Sequence, residues 1–484
     1  MQVAALEVST SSAKAMVYDD REGVVAEEQN PFPDDVGKET AQDPDGIVDV
    51  ALDTLEQVVR DHSHDIRAVG LCGTWHSLLY TDREGEPLGD IRTWVDTTGD
   101  DFVRRKRSDT NWVDAYYRKT GCLPHAMYPF WKHCYLTDED DPQANGDALI
   151  SSQIEHLFHR ITGERAVSRC TASGSGFMNI HSAEWDEGLL EFASINDRNR
   201  LAPLADETKT APMQAHVADR VGLPEGTPVT AGAADGALNQ LGVGGTRTDI
   251  LSFSVGTSGA IRMGVEEPEL PHERSTWCYY LHDNVRVAGG ATHGINCLDW
   301  YLNLLNTGSS NNEWDYASLG QRAAECDERD APIFLPFVFG ERAPGWNEDR
   351  TGVFTRMTSE HGPGDLYYAV QEGILFTLYD CYRMLVRNWD VSPQKIVISG
   401  GILNSEPWTR MAANLFGKAL EHTGHTNDST VGAAMLALKA AGGIDDVNDI
   451  DIPTHTVAEP ESEKQHQTLQ ERYEHYREIY TKNQ

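Results

Sequence analysis

The sequence predicts an α/β chain made of two similarly organised halves. A short strand, a hydroxyl-rich turn and a second strand open the chain at residues 3–18 (VAALEVSTSSAKAMVY), and the same plan returns at residues 251–264 (LSFSVGTSGAIRMG). After each opening, buried-strand runs alternate with helical apolar spacing, the pattern of strands and helices that share layered cores. The chain has 484 residues, more than one domain of about 150 residues needs, and is long enough to bury a sizeable core.

The elements follow in order. Ile66-Arg67-Ala68-Val69-Gly70-Leu71-Cys72-Gly73 reads as a buried strand ending in glycine. Residues 229–237 (VTAGAADGA) end a strand in small residues around one carboxylate, Asp235. Residues 365–389 are apolar around most of a helical circumference, so that helix is central and buried. Residues 395–401 (KIVISGG) form a cleaner strand closed by Gly400-Gly401, with a helix expected from Ser405 to Leu420. The stretch from Ile444 to Glu463, rich in Asp, Pro and Glu, reads as a solvated loop. Leu469, Tyr473, Tyr476 and Tyr480, spaced by three and four, form the docking stripe of a terminal helix.

Charge narrows the partners. The 40 Lys and Arg, only 11 of them Lys, face 76 Asp and Glu, a formal net charge of −36. Sequence-independent binding to nucleic acid or to an anionic membrane needs a dense basic surface, and the composition excludes it. An anionic ligand must be held by local dipoles and a few placed cations. Such a surface suits a salt-rich cytoplasm, and equally an acidic protein of an ordinary cell. The eight cysteines (72, 122, 134, 170, 278, 297, 326 and 381) include no C-x-x-C pair and read as free thiols of a reducing compartment. Residues 1–20 enter a strand pattern without a basic region and apolar stretch, and no run approaches about 18 apolar residues. A cytoplasmic protein is expected; its oligomeric state stays open, a homodimer included.

The chemistry gathers at the repeated hairpins. A tight turn of small hydroxyl residues exposes backbone N–H groups that can cradle phosphate oxygens, and two such turns suggest duplicated units facing one nucleotide. Gly400-Gly401 lets backbone approach a ligand beside a helix N-terminus. Asp235 lies just before the second hairpin, where a carboxylate can take a proton from a hydroxyl next to a phosphate site. Alone it reads equally as a helix cap.

Several segments together carry a family resemblance: Gly256-Thr257-Ser258, the Asp235 segment, FLPFVFGERAPGWNEDRTGVF at 334–354, ISGGILNS at 398–405 with Trp408, and Ser429-Thr430-Val431-Gly432-Ala433-Ala434. Over essentially its whole length the chain resembles the FGGY carbohydrate kinases of the actin-like ATPase superfamily. The resemblance implies two ribonuclease-H-like domains, 1–245 on the sugar side and 246–484 on the ATP side, with the active site in the cleft between them. It places Asp235 as catalytic base. ATP would be held by Thr10, Ser11, Ser12, Lys14, Gly256, Thr257, Ser258 and Gly294, with Gly400, Gly401 and Asn404 at the adenosine site. Glu7 would hold hydrated Mg²⁺.

On the sugar side, Thr74-Trp75-His76-Ser77 and Thr93-Trp94-Val95-Asp96 match family segments, placing Trp75, His76, Asp96 and His125, with Asp235, against the substrate. Residues 120–132 (TGCLPHAMYPFWK) and His181 look most like the gluconate-phosphorylating branch. An aldonate carboxylate needs cations, and His76, Arg92, His125 and Lys132 are the candidates. The expected activity is ATP-dependent phosphorylation of a sugar acid, gluconate first; a xylulose or polyol kinase and a non-catalytic sensor are the alternatives. One departure stands out. The family opens its first hairpin Asp-x-Gly-Thr, whereas this chain reads Glu7-Val8-Ser9-Thr10.

Overall fold

The computed structural model describes residues 1–307 and 314–483. Its two large sheets are built alike. In the first, Gln2–Val8 pairs antiparallel with Ser12–Asp19 and parallel with Ile66–Gly73. In the second, Ile250–Val255 pairs antiparallel with Ser258–Val265 and parallel with Lys395–Ser399. Each sheet has seven strands, with Gly23–Pro31 or Val285–His293 continuing beyond the hairpin. The repeated plan in the sequence is thus a repeated topology.

Alternation along the first strand separates two cores. Ala4, Leu6 and Val8 face a core shared with the Pro44–Val59 helix, whereas Val3 and Ala5 face a second core that continues into the other half of the chain. Glu7 has the parity of Val3 and Ala5, so it is turned toward that second core.

Two helices cross between the sheets. Asp235–Gly242 closes the first half, and Asp428–Ala440 returns from the second half to lie against strands of the first sheet. Their contact is backbone on backbone. A Cβ on Gly242 would lie 1.9 Å from the Asp428 carbonyl oxygen, one on Gly432 2.2 Å from that of Leu238, and one on Gly70 2.2 Å from that of Ala433. Only glycine fits at these points.

Most expected elements are present. The central helix runs Pro363–Trp389, and the terminal helix Glu463–Lys482 docks on it through the buried tyrosine stripe. A buried Arg472–Glu372 pair at 2.6 Å, a Tyr473–Asp380 hydrogen bond at 2.6 Å and a Tyr476–Thr377 hydrogen bond at 2.8 Å join the tyrosines there. Two expectations need correction. The helix expected to reach Leu420 ends at Phe416, because Gly417 takes φ 62° and turns the chain into the strand Leu420–His422. The expected loop 444–463 contains the strand His455–Ala458, which pairs antiparallel with Leu420–His422 at the sheet edge. All eight cysteines are free, and seven are buried. No helix among the described residues is long and apolar enough to cross a membrane.

Candidate active site

The first turn is closed by its own side chains. The Ser9 amide donates to the Ser12 carbonyl at 2.9 Å, and the Ser12 amide donates to the Ser9 hydroxyl at 3.1 Å. The Gln42 amide group donates to the carbonyls of Ser9 and Thr10, each at 3.0 Å. Ser9 therefore closes the turn with its own hydroxyl as well as its amide. Ser11 is exposed and Thr10 half-buried at the tip.

Directly behind the tip, Glu7 faces Lys14 across the hairpin. Glu7 is 2% exposed; its Oε1 accepts from Lys14 Nζ at 2.9 Å, and its Oε2 accepts from the hydroxyls of Ser429 at 2.6 Å and Thr430 at 2.9 Å. Burial opposes ionisation of Glu7, but the Lys14 ammonium and these hydroxyls outweigh it and hold the carboxyl below its usual range. Burial likewise works against the Lys14 ammonium, and Glu7 more than reverses it. Both carboxylate oxygens are thus engaged and the charge is balanced, a donor set that does not fit a direct metal ligand. What remains for Glu7 toward Mg²⁺ is the expected indirect hold, through the ion's water.

The second turn is closed by backbone. The amides of Ile295 and Gly294 donate to the carbonyls of Gly256 at 2.8 Å and Thr257 at 3.2 Å. A Cβ on Gly294 would lie 2.5 Å from the Gly256 oxygen, and one on Gly400, whose φ is 92°, would lie 2.6 Å from the Val255 oxygen. Gly401 adjoins Ile295. Gly256, Thr257, Ser258, Gly294, Gly400 and Gly401 therefore converge on one place, with Asn404 exposed at its rim.

Asp235 stands between these turns, at the first position of the Asp235–Gly242 helix, its Oδ1 accepting the Gly236 amide at 2.7 Å. Burial, then the nearby Glu7 carboxylate, push its pKa up to about 6, while Arg262 pulls it down. Burial lowers the Arg262 guanidinium to about 10 against the opposing pull of Asp235. Gly236 makes room for both neighbours, since a Cβ there would lie 2.7 Å from the Trp75 ring and 3.3 Å from Arg262 Nε.

Beside Asp235 lies an aromatic wall. The Trp75 indole donates to the Cys170 carbonyl at 3.0 Å and packs against Tyr279 and His76. His76 holds a left-handed φ of 67°, a strained position for a non-glycine residue. Burial drops its pKa to about 3, so the ring is neutral; Nδ1–H donates to the Gly174 carbonyl at 2.6 Å and leaves Nε2 as an acceptor. His125 has the opposite tautomer. Its Nδ1 accepts the Met127 amide at 3.1 Å, so Nε2–H points to Glu348, 3.5 Å away. Lys132, 4% exposed, donates to the carbonyls of Ala126 at 3.0 Å and Met127 at 2.6 Å. Burial lowers its ammonium to about 7 against the pull of Asp96.

Asp96 adjoins this group through its charge on Lys132. Its carboxylate is taken up by Arg92 at 3.0 Å and by the amide and hydroxyl of Thr98, on a cavity of about 440 Å³ that includes neither Asp235 nor either turn. From the same segment it is Trp94 that reaches the first turn, its indole donating to the Thr10 hydroxyl at 3.1 Å. His181 is exposed and donates to or accepts from no residue of the site, its Nε2 bonding the Arg118 carbonyl instead. Arg262, Arg342, Tyr128 and Tyr279 belong to the site without having been singled out in the sequence. Arg342 lies in the Gly-Glu-Arg segment and Tyr128 in the segment 120–132, usable signals; Tyr279 had none.

Known proteins share this architecture. The N-terminal domain of the FGGY family of carbohydrate kinases matches residues 3–242, and the C-terminal domain matches residues 251–441. The gluconokinase of Bacillus subtilis (strain 168) is 28% identical over 481 residues, covering 96% of this chain and 93% of that one. The xylulose kinase of Escherichia coli (strain K12) is 27% identical, covering 90% and 89%. The crystal structure of gluconate kinase from Lactobacillus acidophilus superposes with a TM-score of 0.90 at 26% identity, covering 99% and 98%. With both domains matched and the two-sheet architecture shared end to end, the chain belongs to the FGGY family of carbohydrate kinases and is a sugar kinase.

Proposed function

We propose that the chain transfers the γ-phosphoryl group of MgATP to the terminal hydroxyl of an aldonate, gluconate being the first candidate and 6-phosphogluconate its product. The observation that carries this reading is Asp235, a half-buried carboxylate between the two turns with a pKa of about 6. A base poised there is ionised at neutral pH yet still basic enough to take the hydroxyl proton as the new bond forms. Residues 1–245 would supply the sugar side and 246–484 the nucleotide side. Thr10, Ser11, Gly256, Thr257 and Ser258 would hold phosphates, Gly400, Gly401 and Asn404 would lie at the adenosine, and Mg²⁺, carried on the ATP phosphates, would neutralise charge there. The Trp75 face, the His76 Nε2 acceptor and the His125 Nε2–H donor suit a chain of hydroxyls. The third Nζ–H of Lys132, beyond the two carbonyls it already holds, suits a carboxylate in a protein of net charge −36.

The test is ADP release by the purified chain with MgATP and each of gluconate, xylulose, ribulose and glycerol, at low and at molar salt. Stimulation by gluconate that weakens as salt screens the carboxylate supports the reading. Stimulation by xylulose alone, independent of salt, overturns the aldonate and leaves the kinase.

A further inference from the structure

Arg342 stands where the two halves of the site meet, with Ser258 on one side and Trp94 on the other. Its backbone is pinned by its neighbour. Glu341 accepts from Arg350 at 2.9 Å, from the Tyr480 hydroxyl at 2.5 Å and from the Gly345 amide at 3.1 Å. The Arg342 side chain itself has no carboxylate within ion-pair distance among the described residues. Its Nη1 donates to the Ser258 hydroxyl of the second turn at 3.2 Å, and its guanidinium lies 5.2 Å over the Trp94 ring. Trp94 in turn donates to Thr10 of the first turn. One cation therefore touches the second turn directly and the first through one indole. Burial presses on the charged form, with only the hydroxyls of Tyr128 and Tyr279 working against it. An arginine without an acid partner, largely out of water in a chain of net charge −36, is placed for an anion that arrives from outside.

We propose that Arg342 is a catalytic residue whose guanidinium contacts the phosphoryl group in flight between ATP and the acceptor hydroxyl. As the acceptor oxygen bonds to phosphorus, the bond from phosphorus to the bridging oxygen breaks, its electron pair leaves with ADP, and the acceptor proton passes to Asp235. Charge on the three equatorial oxygens peaks midway, and the planar fork of a guanidinium matches two of them. Arg342 thus adds to the transition state more than to bound ATP, the condition for raising kcat rather than affinity.

The proposal rests on phosphoryl transfer, not on gluconate. Any acceptor the wild type uses will serve, and slow transfer to water serves if none does, so failure of the substrate reading and failure of Arg342 are seen in separate assays. Arg342→Lys keeps a cation on Trp94 and is expected to melt within about 3 °C of wild type. Its kcat should fall on the order of 10²-fold, with KM for ATP and for the acceptor changed less than about threefold. Free guanidinium ion should restore part of the turnover of Arg342→Ala. Calorimetry should show ATP binding unchanged in both variants, with the tight complex of ADP and aluminium fluoride lost. An unchanged kcat in folded Arg342→Lys overturns the proposal. So does a loss confined to the acceptor KM, which makes Arg342 a substrate anchor, or a loss of ATP affinity, which makes it a ground-state contact.

Discussion

The two hairpins share a topology and are finished by opposite means. In the first, side chains of Ser9, Ser12 and Gln42 close the turn, and the cross-strand pair behind it is the ion pair Glu7–Lys14. In the second, backbone groups of residues 256, 257, 294 and 295 close the turn, glycines crowd its base, and the pair behind it is Ser254 opposite Ala260. A turn closed by side chains has spent them. One closed by backbone keeps its hydroxyls, Thr257 and Ser258, for something else. The second turn is thus the more open of the two, and the first half brings chiefly charge beside Asp235.

Five substitutions break or sharpen that contrast. The largest effect belongs to the residue between the hairpins. Asp235→Asn should lower kcat by about 10³-fold or more, with ATP binding within about threefold of wild type by calorimetry. Turnover within tenfold of wild type would remove Asp235 from its role. Next is the glycine-built turn. Gly400→Ala places a Cβ 2.6 Å from the Val255 oxygen at a φ of 92°. It should cost about 1–3 kcal/mol in urea unfolding and raise the ATP KM.

The charges behind the hairpins should then move the acid limb of kcat/KM in opposite directions. Asp235 must be ionised to accept a proton, so activity should fall as pH drops through about 6. Glu7→Gln removes a like charge and should shift that limb to lower pH, whereas Arg262→Gln removes an opposite charge and should shift it higher. Equal shifts in one direction would mean that neither residue acts through Asp235. The smallest effect is expected at Ser9→Gly. It deletes the hydroxyl bonds of the first turn but restores a residue at ease there, changing stability by less than about 1 kcal/mol and leaving the ATP KM in place.

Much of this was legible in the sequence because it is local. The two hairpins, the strands Ile66–Gly73 and Lys395–Ser399, the buried central helix and the placement of Asp235 before the second hairpin all follow from short-range pattern. What escaped is set by contacts between distant segments. Trp94 meets Thr10 of a distant segment, while Asp96 finds Arg92 and Thr98 next to it. Arg342 gains its meaning from Ser258, 84 residues away, and from Trp94 in the other half. The strand His455–Ala458 was hidden by flanking prolines and acids and exists because Leu420–His422 offers it an edge. The resemblance placed Glu7 toward hydrated Mg²⁺, but no local pattern announced that Ser429 and Thr430, from the far end of the chain, would meet its second carboxylate oxygen.

The crossing of the Asp235–Gly242 and Asp428–Ala440 helices has a consequence for movement. With carbonyl oxygens bearing directly on glycine Cα positions, the joint has no compressible side-chain layer, so it resists sliding far more than turning. It works as an axle. Asp235, at the end of one of the two crossing helices, sits close to that axle, and so does Glu7, which bonds Ser429 and Thr430 beside the Asp428 contact. Any swing of one half against the other therefore turns about a point beside Asp235 and the Glu7–Lys14 pair, and leaves their mutual spacing almost as it was.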